Sequence, residues 1–316
     1  QDELRYGSLV RAALARRRAA PALSGNGRAP GPGRPEAASS FASFAGGLSE
    51  LVDALIEALR PHVTLRARTP VSALQPAGGQ WLVRTGTPGA YRPHPPYPHP
   101  PFDAVVLALP SYRSAPLVEA WDAELAALLR LIPFASTAVV ALAFPRDAVP
   151  DESPVRRSSG VLVPSIEARR RGLSVTACSW FSTKWPHASP RGAALIRCFV
   201  GRFGDEGALG MSDDALVRAV LRDLKHLAGL SAEPRYVEVF RWPFAMPQYQ
   251  VGHLELVEAI ERRAGNWPGL YLAGASFRGM SISDCVRQGQ QAAQACVAYL
   301  RALAERRTIE GVESVS

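Results

Sequence analysis

Residues 270–304, LYLAGASFRGMSISDCVRQGQQAAQACVAYLRALA, compress a strand, a glycine loop and a capped helix into one run, and that succession commits the chain to an α/β unit. Leu270, Tyr271, Leu272 and Ala273 form a short apolar stretch closed by Gly274, and Gly279 ends a loop too poor in bulky side chains to be core. Ser281 with Asp284 three residues on is a capping box, which predicts a helix start at Ser281 to Ser283 with its amide donors facing the loop. Such a terminus attracts negative charge. Val286, Gly289, Ala293, Cys296, Val297, Leu300 and Leu303 recur at helical spacing and predict one buried stripe, with the small Gly289, Ala292 and Ala293 allowing close contact with a sheet. Arg301, Arg306 and Arg307 suit the C-terminal end of that helix. On pattern alone the run is either an ordinary closing unit of an α/β domain or a cofactor cradle.

The chain before it divides by character. Residues 2–18 read as a helix with Leu4, Leu9, Ala13 and Leu14 inward, and residues 19–40, rich in Ala, Pro, Gly and Ser, read as a linker. The Gly46-Gly47 turn leads into a helix carrying Leu48, Leu51, Leu55 and Leu59, for which Ser49 is the expected cap. Val63–Leu65, Val71–Leu74 and Trp81–Arg84 are short β-like runs punctuated by Pro70 and Gly78-Gly79. DAVVLALP, residues 103–110, is a continuous apolar strand of the kind found in parallel sheets. From Tyr112 to Trp267 longer alternating strands, at 138–144, 160–164, 173–181, 194–200 and 237–242, predict an antiparallel sheet. A helix over 212–229, capped by Ser212, ended by Gly229 and turning Leu216, Val220, Leu224 and Leu227 inward, accompanies them.

Several function classes lose support at this level. The net charge of +8 comes almost wholly from scattered arginines, Lys184 and Lys225 being the only lysines, and no element interleaves basic with aromatic residues as a nucleic-acid surface does. Cys178, Cys198, Cys285 and Cys296 lack CxxC spacing, so reduced thiols are expected and zinc is not. His94 and His99 in the proline-rich segment 88–102 have no carboxylate beside them and make a poor metal set, so no metal site is assigned. No run of about 18 apolar residues occurs. Gly201, Gly204, Gly207 and Gly210 match neither a phosphate loop nor the dinucleotide fingerprint.

The run LAGASFRGMSISDCVRQGQQAA resembles the closing flavin-binding signature of oxygen-dependent protoporphyrinogen oxidases, within the wider group of flavin amine-oxidase-like proteins. A second, more specific likeness is WPFAMPQYQVGH, residues 242–253, which follows the W-x-x-A-x-P-Q-Y-x-x-G-H pattern of that family. Together with upstream stretches in matching order, the resemblance spans about residues 2–304. It implies a mixed α/β fold: part of an FAD-binding Rossmann-like domain at 41–111 and 268–305, enclosing a substrate domain at 112–267 built on a mainly antiparallel sheet, after the helix and linker of 1–40 and before a tail at 306–316. No G-x-G-x-x-G follows a strand anywhere, although such an enzyme needs one for the pyrophosphate, so the chain is expected to be a C-terminal piece holding half of its cofactor site.

The resemblance also implies roles. Gly274, Ala275, Met280, Ser281 and Ile282 fall on the flavin signature, the helix terminus near Ser281 to Asp284 meeting the flavin ring or the ribityl-phosphate chain. Val71 matches a position whose backbone pairs with adenine, and Trp242 one near the flavin, while Gln248 to His253 stabilise the turn and the seam between domains. Leu162 and Phe199 match the clamp on a tetrapyrrole, the leucine on one face of the ring and the aromatic on the other, and Ser179 a third clamp position that is bulkier in relatives. The implied reaction oxidises protoporphyrinogen IX with O2 as acceptor, through FAD, in the cytoplasm, with a peripheral membrane contact upstream of this chain and a homodimer left open. No catalytic acid or base stands out, His253 reading as a structural residue. Another flavin oxidase or desaturase, and a noncatalytic tetrapyrrole-binding module, stay open as alternatives.

Overall fold

The computed structural model describes residues 43–86 and 101–313. The helix expected over 2–18, the linker after it, and His94 and His99 lie outside these residues. Helix α1 (Ser49–Leu59) leaves none of its residues buried. Ser49 is not its cap: Gly47, at φ 94°, turns the chain so that Leu48 already has helical angles and stands at the N-cap, with no side-chain bond. Residues 63–65 form no strand, and among the described residues no strand pairs with them.

Strands β1 (Val71–Ala77) and β2 (Gln80–Thr85) form a hairpin through Gly78 and Gly79, whose φ values of 56° and 78° give the left-handed two-residue turn that matches strand twist. Strand β3 (Val105–Leu107) is followed by α2 (Ser111–Val118) and α3 (Ala123–Arg130). Next come β4 (Phe134–Pro145), α4 (Pro154–Arg157), β5 (Gly160–Leu162) and α5 (Ser165–Arg171). Strand β6 (Val175–Trp180) runs into the short α6 (Phe181–Lys184), then β7 (Ala193–Val200) and α7 (Asp213–Ala228). Strand β8 (Tyr236–Pro247), α8 (His253–Ala264), β9 (Leu270–Leu272) and α9 (Ile282–Glu313) complete the order.

Two cores result. In the five-stranded antiparallel sheet, ordered β5-β6-β7-β4-β8, period-2 alternation sends Val140, Leu142, Ile196, Cys198 and Trp180 to one face, where α7 covers them with Leu216, Val220 and Leu224. Full burial of each such aliphatic side chain contributes about 1.5–3 kcal/mol. Ser212 caps α7 through the Ala215 amide and Gly229 ends it at φ 65°, as the sequence predicts. Asp223 pins the helix to β6 by accepting from the amides of Ser174 at 2.6 Å and Val175 at 3.0 Å. The Cys178 and Cys198 sulfurs lie 3.5 Å apart as free thiols, and burial pushes the Cys198 thiol up.

The second core joins Leu74, Trp81 and Leu107 to Val118, Leu125 and Leu129, and to Val257, Ile260 and Leu270. Strands β3 and β9 pair in parallel there, Val105 opposite Leu270, bringing together segments that the whole sheet separates in sequence. Helices α2, α3 and α8 therefore share a core with the flanking segments, although they lie in the span read as the substrate domain. Three indoles, Trp81, Trp121 and Trp267, pack edge to face at 4.7–6.4 Å between ring centres. Each finds an acceptor: Pro268 O, Leu74 O and the Asp122 carboxylate.

Helix α9 differs from expectation in two respects. Its inward residues are Gln288 and Ala292, flanked by the half-buried Cys285, Cys296, Tyr299 and Leu303, whereas Val286, Gly289, Ala293, Val297 and Leu300 are exposed. Ala292, Cys296 and Leu303 thus lie inward as expected, while Gln288, bonded to the preceding loop, takes the place of Val286 and Gly289. The helix also runs past Arg301, Arg306 and Arg307 to Glu313, so these do not sit in its last turn; Arg307 instead reaches Asp103 at 2.8 Å, just before β3. Among the described residues no helix is long and apolar enough to cross a membrane.

Candidate active site

Parallel strands β3 and β9 end side by side, and ligands of α/β sheets bind beyond such carboxyl ends. Beyond β9 the chain enters the loop 273–281. Gly274, at φ 123°, adopts a conformation that side chains resist, and a Cβ built there meets nothing within 4 Å, so open space lies directly over its backbone. Gly279, at φ 116°, is required for another reason: the Asp284 carboxyl occupies the place of a Cβ, 2.5–2.8 Å away. Between them Phe277 is buried in the core and Ser276 accepts a bond from the Ser111 amide at 2.9 Å, tying the loop to the start of α2.

The capping box is formed as read. The Ser281 hydroxyl accepts from the Asp284 amide at 3.1 Å and donates to its carboxylate at 2.6 Å. Those bonds to Ser281, with Arg287 beside it, hold the Asp284 carboxyl below its usual range. Gln288 accepts from the Arg278 amide and donates to Gly279 O, each at 3.2 Å, so the first turns of α9 grip the loop they cap.

The WPFAMPQYQVGH segment supplies a clamp from the other side. Tyr249 donates its hydroxyl to Ala275 O at 2.6 Å and accepts from the Gly279 amide at 3.0 Å, bridging the two ends of the glycine loop. Burial raises its phenol above the ordinary value, with the Gly279 bond opposing. His253 stacks on Tyr249, ring centres 3.8 Å apart, and bonds Phe277 O through Nε2 at 2.8 Å. The histidine is buried, and its Nε2 is engaged with backbone, which is a structural role.

The same segment makes a bulge. Thr137 pairs Trp242 and Ala135 pairs Met246, so β8 carries two extra residues between these pairs. Phe244 lies within them at φ 49°, unusual for a bulky residue, held by a bond from its amide to the Ser136 hydroxyl at 3.1 Å. Its ring is exposed and sits 5.9 Å from that of Tyr112, the residue after Ser111. Trp242, half exposed, lines a cavity of about 260 Å3 with Ser136, Thr137 and Glu206.

On the sheet face opposite α7 the side chains range from half-buried to exposed among the described residues. Direct pairing across the strands sets Leu162, Ala177, Phe199, Val139 and Phe240 in one row, all on that face. The next row is Gly160, Ser179, Arg197, Ala141 and Glu238. Leu162 is 81% exposed at the edge of the face.

The structure thus gathers Gly274, Ala275, Met280, Ser281 and Ile282 around one loop and helix terminus, with Met280 and Ile282 exposed beside it. Leu162 and Phe199 share a row and Ser179 lies in the row beside them. Val71 stands apart, lining an apolar cleft of about 310 Å3 between the hairpin and β3. Sequence reasoning placed Tyr249 in the stabilising 248–253 turn without singling it out as the loop's bridge, and missed Phe244 as a strained residue and Gln288 and Arg197 altogether. Arg197 was readable in principle, as the one charge at an alternate position of an otherwise apolar strand. Among the described residues no group of His, Cys, Asp and Glu could hold a metal.

A glycine-lined loop at the ends of parallel strands, followed by a capped helix terminus, is an arrangement suited to hold a dinucleotide or flavin. The chain belongs to the flavin containing amine oxidoreductases, whose family model matches residues 6–297. Among curated relatives it is 37% identical to coproporphyrinogen III oxidase of Bacillus subtilis over 63% of this chain and 40% of the relative. It is equally 37% identical to the Mycobacterium bovis enzyme of that name, over 88% of this chain and 54% of the relative. A crystal structure from an Exiguobacterium species, provisionally described as a protoporphyrinogen oxidase, superposes with TM-score 0.69 at 28% identity, covering 96% of this chain and 57% of that one. The chain therefore spans about half the length of the proteins it matches.

FAD is the cofactor of this family, and the loop fits a part of it. The open backbone at Gly274 admits close approach, and the positive end of the α9 macrodipole suits its negatively charged portions.

Proposed function

We propose that this chain supplies the substrate face and one wall of the FAD site of a porphyrinogen oxidase, acting on coproporphyrinogen III. The carrying observation is the row Leu162, Ala177, Phe199, Val139 and Phe240, half-buried to exposed, apolar throughout and five strands wide, or about 19 Å. A broad tetrapyrrole, puckered as the porphyrinogen and flat as the porphyrin product, is bound by contact area, which such a surface offers and a small amine does not need. The two 37% identical relatives named for coproporphyrinogen III support that substrate over protoporphyrinogen IX. The Exiguobacterium neighbour favours protoporphyrinogen IX as the second reading.

When bound, FAD supplies the hydride acceptor, and oxygen takes the electrons from it. The chain's own residues position and exclude water. Leu162 and Phe199 seat the ring, while Trp242 and the exposed Phe244 of the bulge stand at the β8 border of the same face. Tyr249 and His253 fix the loop at Gly274 and Ala275, and with Met280, Ser281 and Ile282 this forms the wall against the cofactor. Val71 contributes backbone to the adenosine end.

Porphyrin fluorescence and oxygen uptake, followed with the FAD-loaded protein and each porphyrinogen, test the assignment. Coproporphyrinogen III is expected to be oxidised faster than protoporphyrinogen IX. Oxidation of a primary amine such as putrescine, with neither porphyrinogen consumed, would overturn it.

A further inference from the structure

Arg197 is the exception on the apolar substrate face. It projects from β7 in the row beside Leu162 and Phe199, about 7 Å along the strands, directly opposite Ser179 of β6. Its guanidinium lies over two rings, 4.9 Å from the centre of Phe181 and 5.8 Å from that of Trp185. Its Nε is buried without an acceptor, and so is the Ser179 hydroxyl oxygen across from it. No described residue gives Arg197 a hydrogen bond or a carboxylate partner. Glu238, two strands away in the same row, is engaged with the Tyr236 hydroxyl. Burial pulls the guanidinium below its ordinary value, yet arginine stays charged at neutral pH. A cation kept partly out of water with no counter-ion and no acceptor is a costly arrangement, and its cost is removed by an anion that arrives with the ligand.

The shape of the vacancy selects the anion. Two aromatic rings hold the guanidinium plane, leaving an edge for a planar two-oxygen acceptor, and the Ser179 hydroxyl can donate to the same group. We propose that Arg197, with Ser179 beside it, anchors a carboxylate arm of the substrate while the ring lies on the Leu162 and Phe199 row. This rests on the porphyrinogen reading and deepens it: Arg197 is a specificity residue for tetrapyrroles that carry ionised acidic arms at the rim. It also gives Ser179 a polar task in place of the bulky clamp.

The oxidised ring serves as a stable probe. Coproporphyrin III and its tetramethyl ester, titrated against the protein by fluorescence, compare one macrocycle with and without charged arms. The free acid is expected to bind wild type about 10- to 100-fold tighter than the ester. Arg197→Met is expected to reduce that ratio about tenfold while leaving ester binding unchanged. Arg197→Lys is expected to fall between, because an ammonium keeps the charge and loses the fork. An unchanged acid-to-ester ratio in Arg197→Met overturns the anchor and leaves the porphyrin reading intact. Failure of wild type to bind either compound overturns both. Should Arg197→Met melt early, Ser179→Ala carries the test: a loss of about threefold or more confined to the acid supports the anchor, and an equal loss for both compounds overturns it.

Discussion

Asp122 shows how much a single buried carboxylate can organise. It caps α3 through the Leu125 amide at 2.8 Å, takes Arg263 on both oxygens at 2.8–3.0 Å, and accepts the Trp267 indole at 2.6 Å. Burial alone pushes its carboxyl upward, but the bonds from Arg263, Leu125 and Trp267 together outweigh that and hold it below the ordinary value. A carboxyl with a depressed folded value stabilises above its unfolded pKa, and that stability is lost as pH falls through the folded one. Asp122→Ala is therefore expected to cost about 3 kcal/mol at neutral pH, read from denaturant unfolding. Asp122→Asn, which keeps the cap, is expected to cost less, and its deficit against wild type shrinks as pH drops below about 4. A deficit independent of pH would rule out the charge as its source. None of this was visible in sequence, since Asp122 and Arg263 are 141 positions apart and only the fold brings them together. Leu162 and Phe199, by contrast, could be paired in advance through a family pattern, and register places them in one row.

At the scale of elements, local rules were read most reliably where local interactions decide. The amphipathic α7 with its serine cap and glycine stop, the Gly78-Gly79 hairpin and the Ser281-Asp284 box each satisfy their backbone groups within a few residues. The face of α9 was read only in part: Ala292, Cys296 and Leu303 lie inward as expected, but Gln288, which pairs the loop backbone, displaces the apolar Val286 from that face. Loop and helix are expected to respond together. Gly279→Ala sets a methyl against the Asp284 carboxyl in a conformation alanine resists, so the box is expected to open. Amide exchange at Cys285 to Gln288 is then expected to quicken about tenfold, while the far end of α9 keeps its protection. Exchange unchanged at those amides would show that the loop and the cap are independent.

Across the whole molecule, two cores meet where β4 begins and β8 ends, at the Phe134–Pro247 pair. The alternating strands revealed the sheet core, but not that α2, α3 and α8 would join the other, because helical periodicity marks an inward face without naming what it packs on. Leu224→Ala, deleting a fully buried side chain under the sheet, is expected to cost 2–5 kcal/mol. Hydrogen exchange is expected to rise through β5, β6 and β7 and much less at β3 and β9. Equal acceleration in both would mean the cores open as one.

The short parallel pairing of β3 with β9 has a consequence for the order of assembly. Val105 and Leu270 are 165 residues apart, a long loop to close for three residues of ladder. Once β4 and β8 are zipped, Phe134 and Pro247 are neighbours, and the effective loop shrinks to about 50 residues. Loop-closure entropy then falls by about 1 kcal/mol. The inserted sheet thus acts as a splint that makes the pairing of the cofactor wall less costly.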